Sequence, residues 1–257
     1  MTSEAEMKRD TVIGVLCLET SFTKIPGHIR NRTTFDFPVV YKEVEGATPE
    51  RVVSQADPRL LEPFVHAAQE LEAQGVAAIT AACGFLVLFQ KQLANAVAVP
   101  LYASSLIQLP MVHRMLRPDQ KVGLLVAKKR SLTRRHLEAI GGEHVPVCVA
   151  GMEEQPEFRE VMLEGRRVEL DADILEREVM TQAEQLARGN PNMGALIIEC
   201  TDLVPFANTI QSLIDMPVFD IVTLTEMVYQ SLTRRPFGSH VTGWPITARR
   251  RKRLSTP

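Results

Sequence analysis

Two stretches of this chain repeat one another in register, and the repeat limits what the chain can fold into. With Cys83 placed over Cys200, Pro100 and Pro217 each fall seventeen residues downstream, in Val99-Pro100-Leu101-Tyr102 and Met216-Pro217-Val218-Phe219. Phe89 then lies on Phe206, Leu93 on Ile210, and Ala78-Ile79 on Ala195-Leu196. At a nearby offset, Ile13-Gly14-Val15-Leu16 matches Val122-Gly123-Leu124-Leu125. A unit of strand, cysteine, helix, proline and strand is therefore present twice, which calls for two similar bodies.

Short apolar runs alternate with amphipathic ones on both sides of the repeat. Residues 11–17, 37–41, 76–80 and 99–102 read as strands, with helices over 57–75, 86–96 and 104–116. Asp57 caps the first helix with Pro58 behind it, and Pro110 is expected to kink the third. The second cycle places strands at 121–126, 145–149, 194–199 and 217–221. Its helices run from a cap at Ser131 to Gly141, then over 173–187, 203–214 and 222–234. Such alternation specifies βαβ units and mostly parallel sheets. The expected fold is α/β with two pseudo-symmetric lobes, residues 1–115 and 116–221, and segment 222–257 free to pack back on the first. Each lobe carries a mostly parallel sheet of about four strands flanked by helices, with a cleft between the lobes.

The chain has 257 residues, 45% of them hydrophobic, enough for a sizeable core. A formal net charge of −2 argues against nucleic acid as a partner. The one dense basic run, Arg249-Arg250-Arg251-Lys252-Arg253, reads as a solvated tail, and Trp244 before it as a packing residue. The start, MTSEAEMKRD, has no apolar signal core, and the richest apolar stretch, 76–89, is shorter than a membrane span. The expectation is a cytoplasmic protein with no membrane partner. Four cysteines are too sparse for a disulfide scaffold, so they read as free thiols. The six histidines are scattered and no metal, phosphate or dinucleotide motif is present, so neither metal nor cofactor is expected.

Cys83 and Cys200 each stand where a parallel strand ends and a helix begins, the edge at which open α/β sheets bind ligands. Helix N–H groups there favour negative charge and tend to lower a thiol's pKa. They also suit a carboxylate or a developing oxyanion. Two facing lobes would set two thiols on opposite sides of one cleft, one removing a proton and the other donating one. The competing reading is two buried hydrophobes. Around them, Gly84 and Phe85 offer backbone donors. Thr201 is either a hydroxyl donor or a helix cap, and Asp202 either assists Cys200 or stabilises a helical turn. Thr20 and Ser21 follow the first strand on the same edge. The loop over residues 25–32, with Gly27, His28, Arg30 and Arg32, could cover the cleft and hold an anion. Ser131 and Thr133 read as caps, and Cys17 and Cys148 as structural.

These residues resemble the aspartate/glutamate/hydantoin racemase superfamily, which works without pyridoxal phosphate. The resemblance rests on Thr80-Ala81-Ala82-Cys83-Gly84-Phe85 and Glu199-Cys200-Thr201-Asp202, supported by Pro26-Gly27-His28-Ile29-Arg30-Asn31. It implies two similar α/β lobes, a homodimer or higher homo-oligomer, and two cysteines acting as acid and base. Gly84-Phe85 depart from the Asn-Thr that amino-acid racemases of this group usually carry. Glu199 stands where glycine is common, and a carboxylate facing the same site would raise a thiol's pKa. The leading expectation is a cofactor-independent racemase or epimerase of a small carboxylate, amino acid or hydantoin, hence an isomerase. Maleate-type cis–trans isomerases and arylmalonate decarboxylases share this scaffold and stand as alternatives. A non-catalytic ligand-binding or thiol redox-sensing protein is the alternative of a different class.

Overall fold

The computed structural model describes residues 11–234. In the first lobe β1 (Ile13–Cys17), β2 (Val39–Glu43), β3 (Ala78–Ala81) and β4 (Leu101–Tyr102) form one sheet in the order β2-β1-β3-β4. In the second, β5 (Lys121–Val126), β6 (Val147–Gly151), β7 (Met193–Ile198) and β8 (Val218–Phe219) repeat that order as β6-β5-β7-β8. Every pairing is parallel. β1 and β3 are buried at every position, because helices or the facing lobe cover both faces of a parallel sheet. Their sequences therefore show continuous apolar runs instead of alternation.

The helices longer than one turn are α1 (Leu61–Ala73), α2 (Gln90–Ala96), α3 (Leu109–Arg114), α4 (Arg134–Glu138), α5 (Ala172–Gly189), α6 (Ala207–Ile214) and α7 (Ile221–Leu232). α1 buries Phe64, Ala67, Ala68 and Leu71 on one stripe and lies against α2 and β1. α5 plays the same part in the second lobe, against α6 and β6. The last helix returns to the first lobe, where Tyr229 stacks on Phe37 with ring centroids 3.8 Å apart. Between the lobes, Ser105 Oγ donates to the Ile198 carbonyl (2.7 Å) and Gln108 Nε2 to the Asp220 carbonyl (3.1 Å). No described helix is long and apolar enough to cross a membrane. Trp244 and the basic run lie outside the described residues.

Several local expectations are corrected. The helix expected from Ser131 begins instead at Thr133, whose backbone and side chain engage His136 in a capping box, while Ser131 ends a short 3₁₀ turn. Pro110 opens α3 and does not kink it, since the first turn of a helix has no use for the missing N–H. Each helix expected after a cysteine is divided, with a six-residue 3₁₀ turn (Gly84–Phe89, Thr201–Phe206) before the α-helix proper. Two single π-helical turns, Glu50–Ser54 and Arg159–Leu163, follow β2 and β6 and have no counterpart in the sequence reading.

Candidate active site

In each sheet the chain leaves its first strand toward one edge and later returns on the other side. The resulting switch point lies between β1 and β3, and between β5 and β7. The loops after those four strands meet at one cavity of about 480 Å³, its open mouth included. Thr20, Phe22, Lys24, His28 and Arg30 come from the loop after β1, and Ala82, Cys83 and Gly84 from the turn after β3. Ala127 follows β5, and Glu199, Cys200, Thr201 and Asp202 follow β7. The two π-helical turns supply Val53 on one side and Met162 and Leu163 on the other, with Phe158 behind. Phe158 is held there because the buried Glu178 carboxylate accepts the N–H groups of Glu157 (2.8 Å) and Phe158 (3.0 Å).

Both thiols line this cavity and both are nearly closed off, Cys83 at 8% exposure and Cys200 at 6%. Their surroundings differ. The Cys83 thiol faces the backbone N–H groups of Phe85 and Leu86. The Cys200 thiol donates to Asp202 Oδ2 at 3.6 Å. The other oxygen, Asp202 Oδ1, lies 2.9 Å from His28 Nε2. His28 Nδ1 accepts the Arg30 backbone N–H at 2.9 Å, so the proton resides on Nε2 and is donated to Asp202. Burial pulls His28 below its ordinary pKa, which keeps this donor neutral. Gly27 sets the histidine in place. It adopts φ +93°, and a Cβ there would meet the Pro205 backbone at 2.9 Å, so only glycine lets the loop lie this close to the Cys200 turn.

The expectation of a lowered thiol pKa is corrected. Burial, followed by the Glu199 carboxylate, raises Cys83, and burial, followed by Asp202 and Glu199, raises Cys200 well above the ordinary value. At neutral pH both are therefore thiols. Glu199, 1% exposed, is itself pushed up to about 8 by burial. Its Oε2 accepts the Ala127 N–H (3.1 Å), while Oε1 is buried without a partner. Lys24 is lowered to about 8, chiefly by burial. Its ammonium lies over the Phe22 ring, 3.1 Å from the centroid, and donates to the Phe22 carbonyl at 2.7 Å. That leaves two of its three N–H groups for a ligand.

Of the residues selected from sequence, the structure brings Cys83, Cys200, Gly84, Thr201, Asp202, Thr20 and Arg30 to the cavity. The Thr201 hydroxyl donates to the Ala82 carbonyl (3.0 Å) and so joins the two cysteine turns, while the cap position falls to Cys200. Arg30 donates to the Leu18 carbonyl, Thr20 Oγ1 and Glu43, which fixes the loop after β1. Ser21 lies on the outer vestibule with Glu19, Glu50 and Glu164, and the Phe85 ring is buried edge-on against His136. Cys17 is buried and raised to about 11 by burial, and Cys148 lies on β6, away from the cavity. Sequence reasoning missed Lys24, although it lies in the loop that drew attention to Thr20. It also missed Phe158, Met162 and Leu163, which no motif marks.

Two matched lobes with a cysteine turn from each at a shared cavity define the class: the chain has the fold of the aspartate/glutamate racemase superfamily. It superposes on unliganded arylmalonate decarboxylase with a TM-score of 0.54 at 13% identity, covering 90% of this chain and 96% of that one. An aspartate racemase homologue from Pyrococcus horikoshii OT3 gives 0.52 at 16% identity over 89% of this chain and all of that one, covered to 100%. Glutamate racemase from Bacillus anthracis gives 0.53 at 16% identity over 86% and 82%. Likeness at these identities establishes the fold alone. No family model matches the sequence.

Sequence relatives narrow the picture and correct it. A dimethylsulfoniopropionate lyase from Durusdinium sp. clade D is 27% identical over 231 residues, 87% of this chain and 76% of that protein. Dimethylsulfoniopropionate lyase 3 from Emiliania huxleyi is 29% identical over 245 residues, 91% of this chain but only 63% of that protein. These relatives are lyases, which overturns the expectation of a racemase, epimerase or other isomerase.

Proposed function

We propose that this chain is a carbon–sulfur lyase that cleaves dimethylsulfoniopropionate, a carboxylate bearing a sulfonium group on its β-carbon. The observation that carries the reading is the Cys200–Asp202–His28 chain, set in a cavity that also holds a free-handed ammonium and an apolar wall. Lys24 pairs with the substrate carboxylate. Val53, Phe158, Met162 and Leu163 receive the two S-methyl groups. Cys200 removes a proton from the carbon next to the carboxylate. Its electron pair forms the C=C bond, the C–S bond breaks, and the pair of that bond leaves with sulfur as neutral dimethyl sulfide. The products are acrylate and dimethyl sulfide, with one proton left on the enzyme for return to solvent.

The resting thiol needs a reason to ionise, and the substrate provides one. A sulfonium brought beside Cys200 and Asp202 adds a positive charge where burial and the Asp202 carboxylate disfavour the thiolate. Asp202 takes up the thiol proton along the existing hydrogen bond, and neutral His28 holds the carboxylate in line. A neutral leaving group requires no acid on the opposite face, so a single base suffices. This distinguishes elimination from inversion on the same scaffold.

The four thiols fit a reducing compartment, and cytoplasmic localisation is part of the proposal. Self-association is part of the proposal too and is read by sedimentation. The deciding experiment is to incubate the protein with dimethylsulfoniopropionate and measure headspace dimethyl sulfide and dissolved acrylate. Equimolar release supports the reading. No dimethyl sulfide, or dimethyl sulfide without acrylate, rejects it.

A further inference from the structure

Glu199 is a buried ionisable residue of the cavity whose chemistry the elimination above does not use. It follows β7 directly and is more deeply buried than either thiol, yet it lines the same space as Cys83, Cys200, Asp202 and Lys24. Its two oxygens are not equivalent. Oε2 accepts the Ala127 N–H and so behaves as the carbonyl-type oxygen, which places the acidic proton on Oε1. Oε1 is buried and has no acceptor. A donor enclosed in this way costs stability unless something else completes it.

The neighbouring backbone is shaped around that oxygen. A Cβ on Gly84 would stand 2.3 Å from Glu199 Oε1 and 2.5 Å from the Glu199 carbonyl, so no larger residue fits beside Cys83. Glycine here has an ordinary φ, so the requirement is for space, not for backbone conformation. It brings a carboxyl group directly alongside the Cys83 turn.

Resting on the lyase reading, we propose that Glu199 acts as a neutral carboxylic acid and donates the Oε1 hydrogen to the carboxylate of the substrate. Lys24 then supplies the charge that attracts that carboxylate, and Glu199 a directional donor. As the neighbouring carbon loses its proton, negative charge builds on the carboxylate oxygens, and a preplaced neutral donor gains strength where an ionised one would repel. On balance the surroundings of Glu199, burial foremost, disfavour its ionised form. Asp202 raises its pKa, both thiols are protonated, and the Ala127 N–H favours the anion but is outweighed by burial.

The test combines infrared spectroscopy with kinetics. The difference spectrum of wild type minus Glu199→Gln near neutral pH should show a protonated-carboxyl C=O band. Adding acrylate should shift that band as the O–H engages a carboxylate, with acrylate binding followed separately by calorimetry. Glu199→Leu, which has no donor, should lose about 10–100-fold in kcat/KM for dimethylsulfoniopropionate, the size expected for a hydrogen bond to a charged group. Glu199→Gln, which keeps a weaker donor and an acceptor for Ala127, should recover much of that loss. A missing band, a band that does not move while acrylate binds, or no acrylate binding at all overturns the assignment. So does Glu199→Leu with wild-type kinetics. If the protein releases no dimethyl sulfide but the band moves with acrylate, the lyase reading fails and the carboxylate contact stands.

Discussion

The turn after β3 and the turn after β7 can be laid on one another residue for residue. Each is a six-residue 3₁₀ segment that begins after a cysteine and passes into an α-helix through a phenylalanine. Phe89 has φ −99° and ψ 4°, and Phe206 has φ −99° and ψ 5°. Yet the first turn reads Ala82-Cys83-Gly84-Phe85 and the second Glu199-Cys200-Thr201-Asp202. Two apolar positions of the first have become carboxylic acids in the second. Phe85 turns into the core against His136, whereas Asp202 faces the cavity between Cys200 and His28. A repeated backbone therefore carries two unlike sets of side chains, and an elimination with a neutral leaving group, as proposed, needs a base from only one of them.

Substitutions that erase this difference should have effects in a definite order. Cys200→Ser should have the greatest, lowering kcat for dimethyl sulfide formation by about 10³–10⁴-fold as the base is lost. Glu199→Gln comes next and is read as stability. A carboxyl with its ordinary pKa of 4.5 unfolded and about 8 folded keeps its proton longer in the native state. Stability is thus greatest below the unfolded pKa, falls as pH rises from there, and levels off above the folded one. Removing the group should stabilise the protein by up to about 3 kcal/mol at pH 7 and by nothing near pH 3, as denaturant midpoints would show. Equal gains at both pH values would contradict the burial argument.

Asp202→Asn should follow, with kcat reduced about 100-fold, because an amide cannot take the thiol proton. A rate within twofold of wild type would remove Asp202 from the mechanism. His28→Gln should cost least, about tenfold, since its part is to orient Asp202 through a neutral hydrogen bond worth roughly 1 kcal/mol. A loss as large as that of Asp202→Asn would mean that His28 itself carries the proton.

Much of this arrangement was legible in the sequence. The coincidence of Cys83 with Cys200 and of Pro100 with Pro217 located both turns, both sheets and the cavity edge, because strand ends follow directly from buried apolar runs. The walls were not legible. Val53, Met162 and Leu163 come from π-helical turns, whose spacing matches neither the strand nor the helix period. The direction of the thiol shifts was misjudged because it depends on how deeply the turns are enclosed. Local sequence shows a helix start but not the lobe that closes over it. Glu199 was noticed as a departure, and its weight came from Gly84 and Ala127, which lie far from it in sequence and touch it in space.

The central claim is that two equal turns have unequal roles, and Cys83→Ser tests it most directly. Its rate of dimethyl sulfide release should be measured beside wild type at saturating dimethylsulfoniopropionate. The account predicts turnover within about tenfold of wild type, since the thiol removed is not the base. A loss as deep as that of Cys200→Ser would show that both turns carry the chemistry and that the one-sided mechanism is wrong.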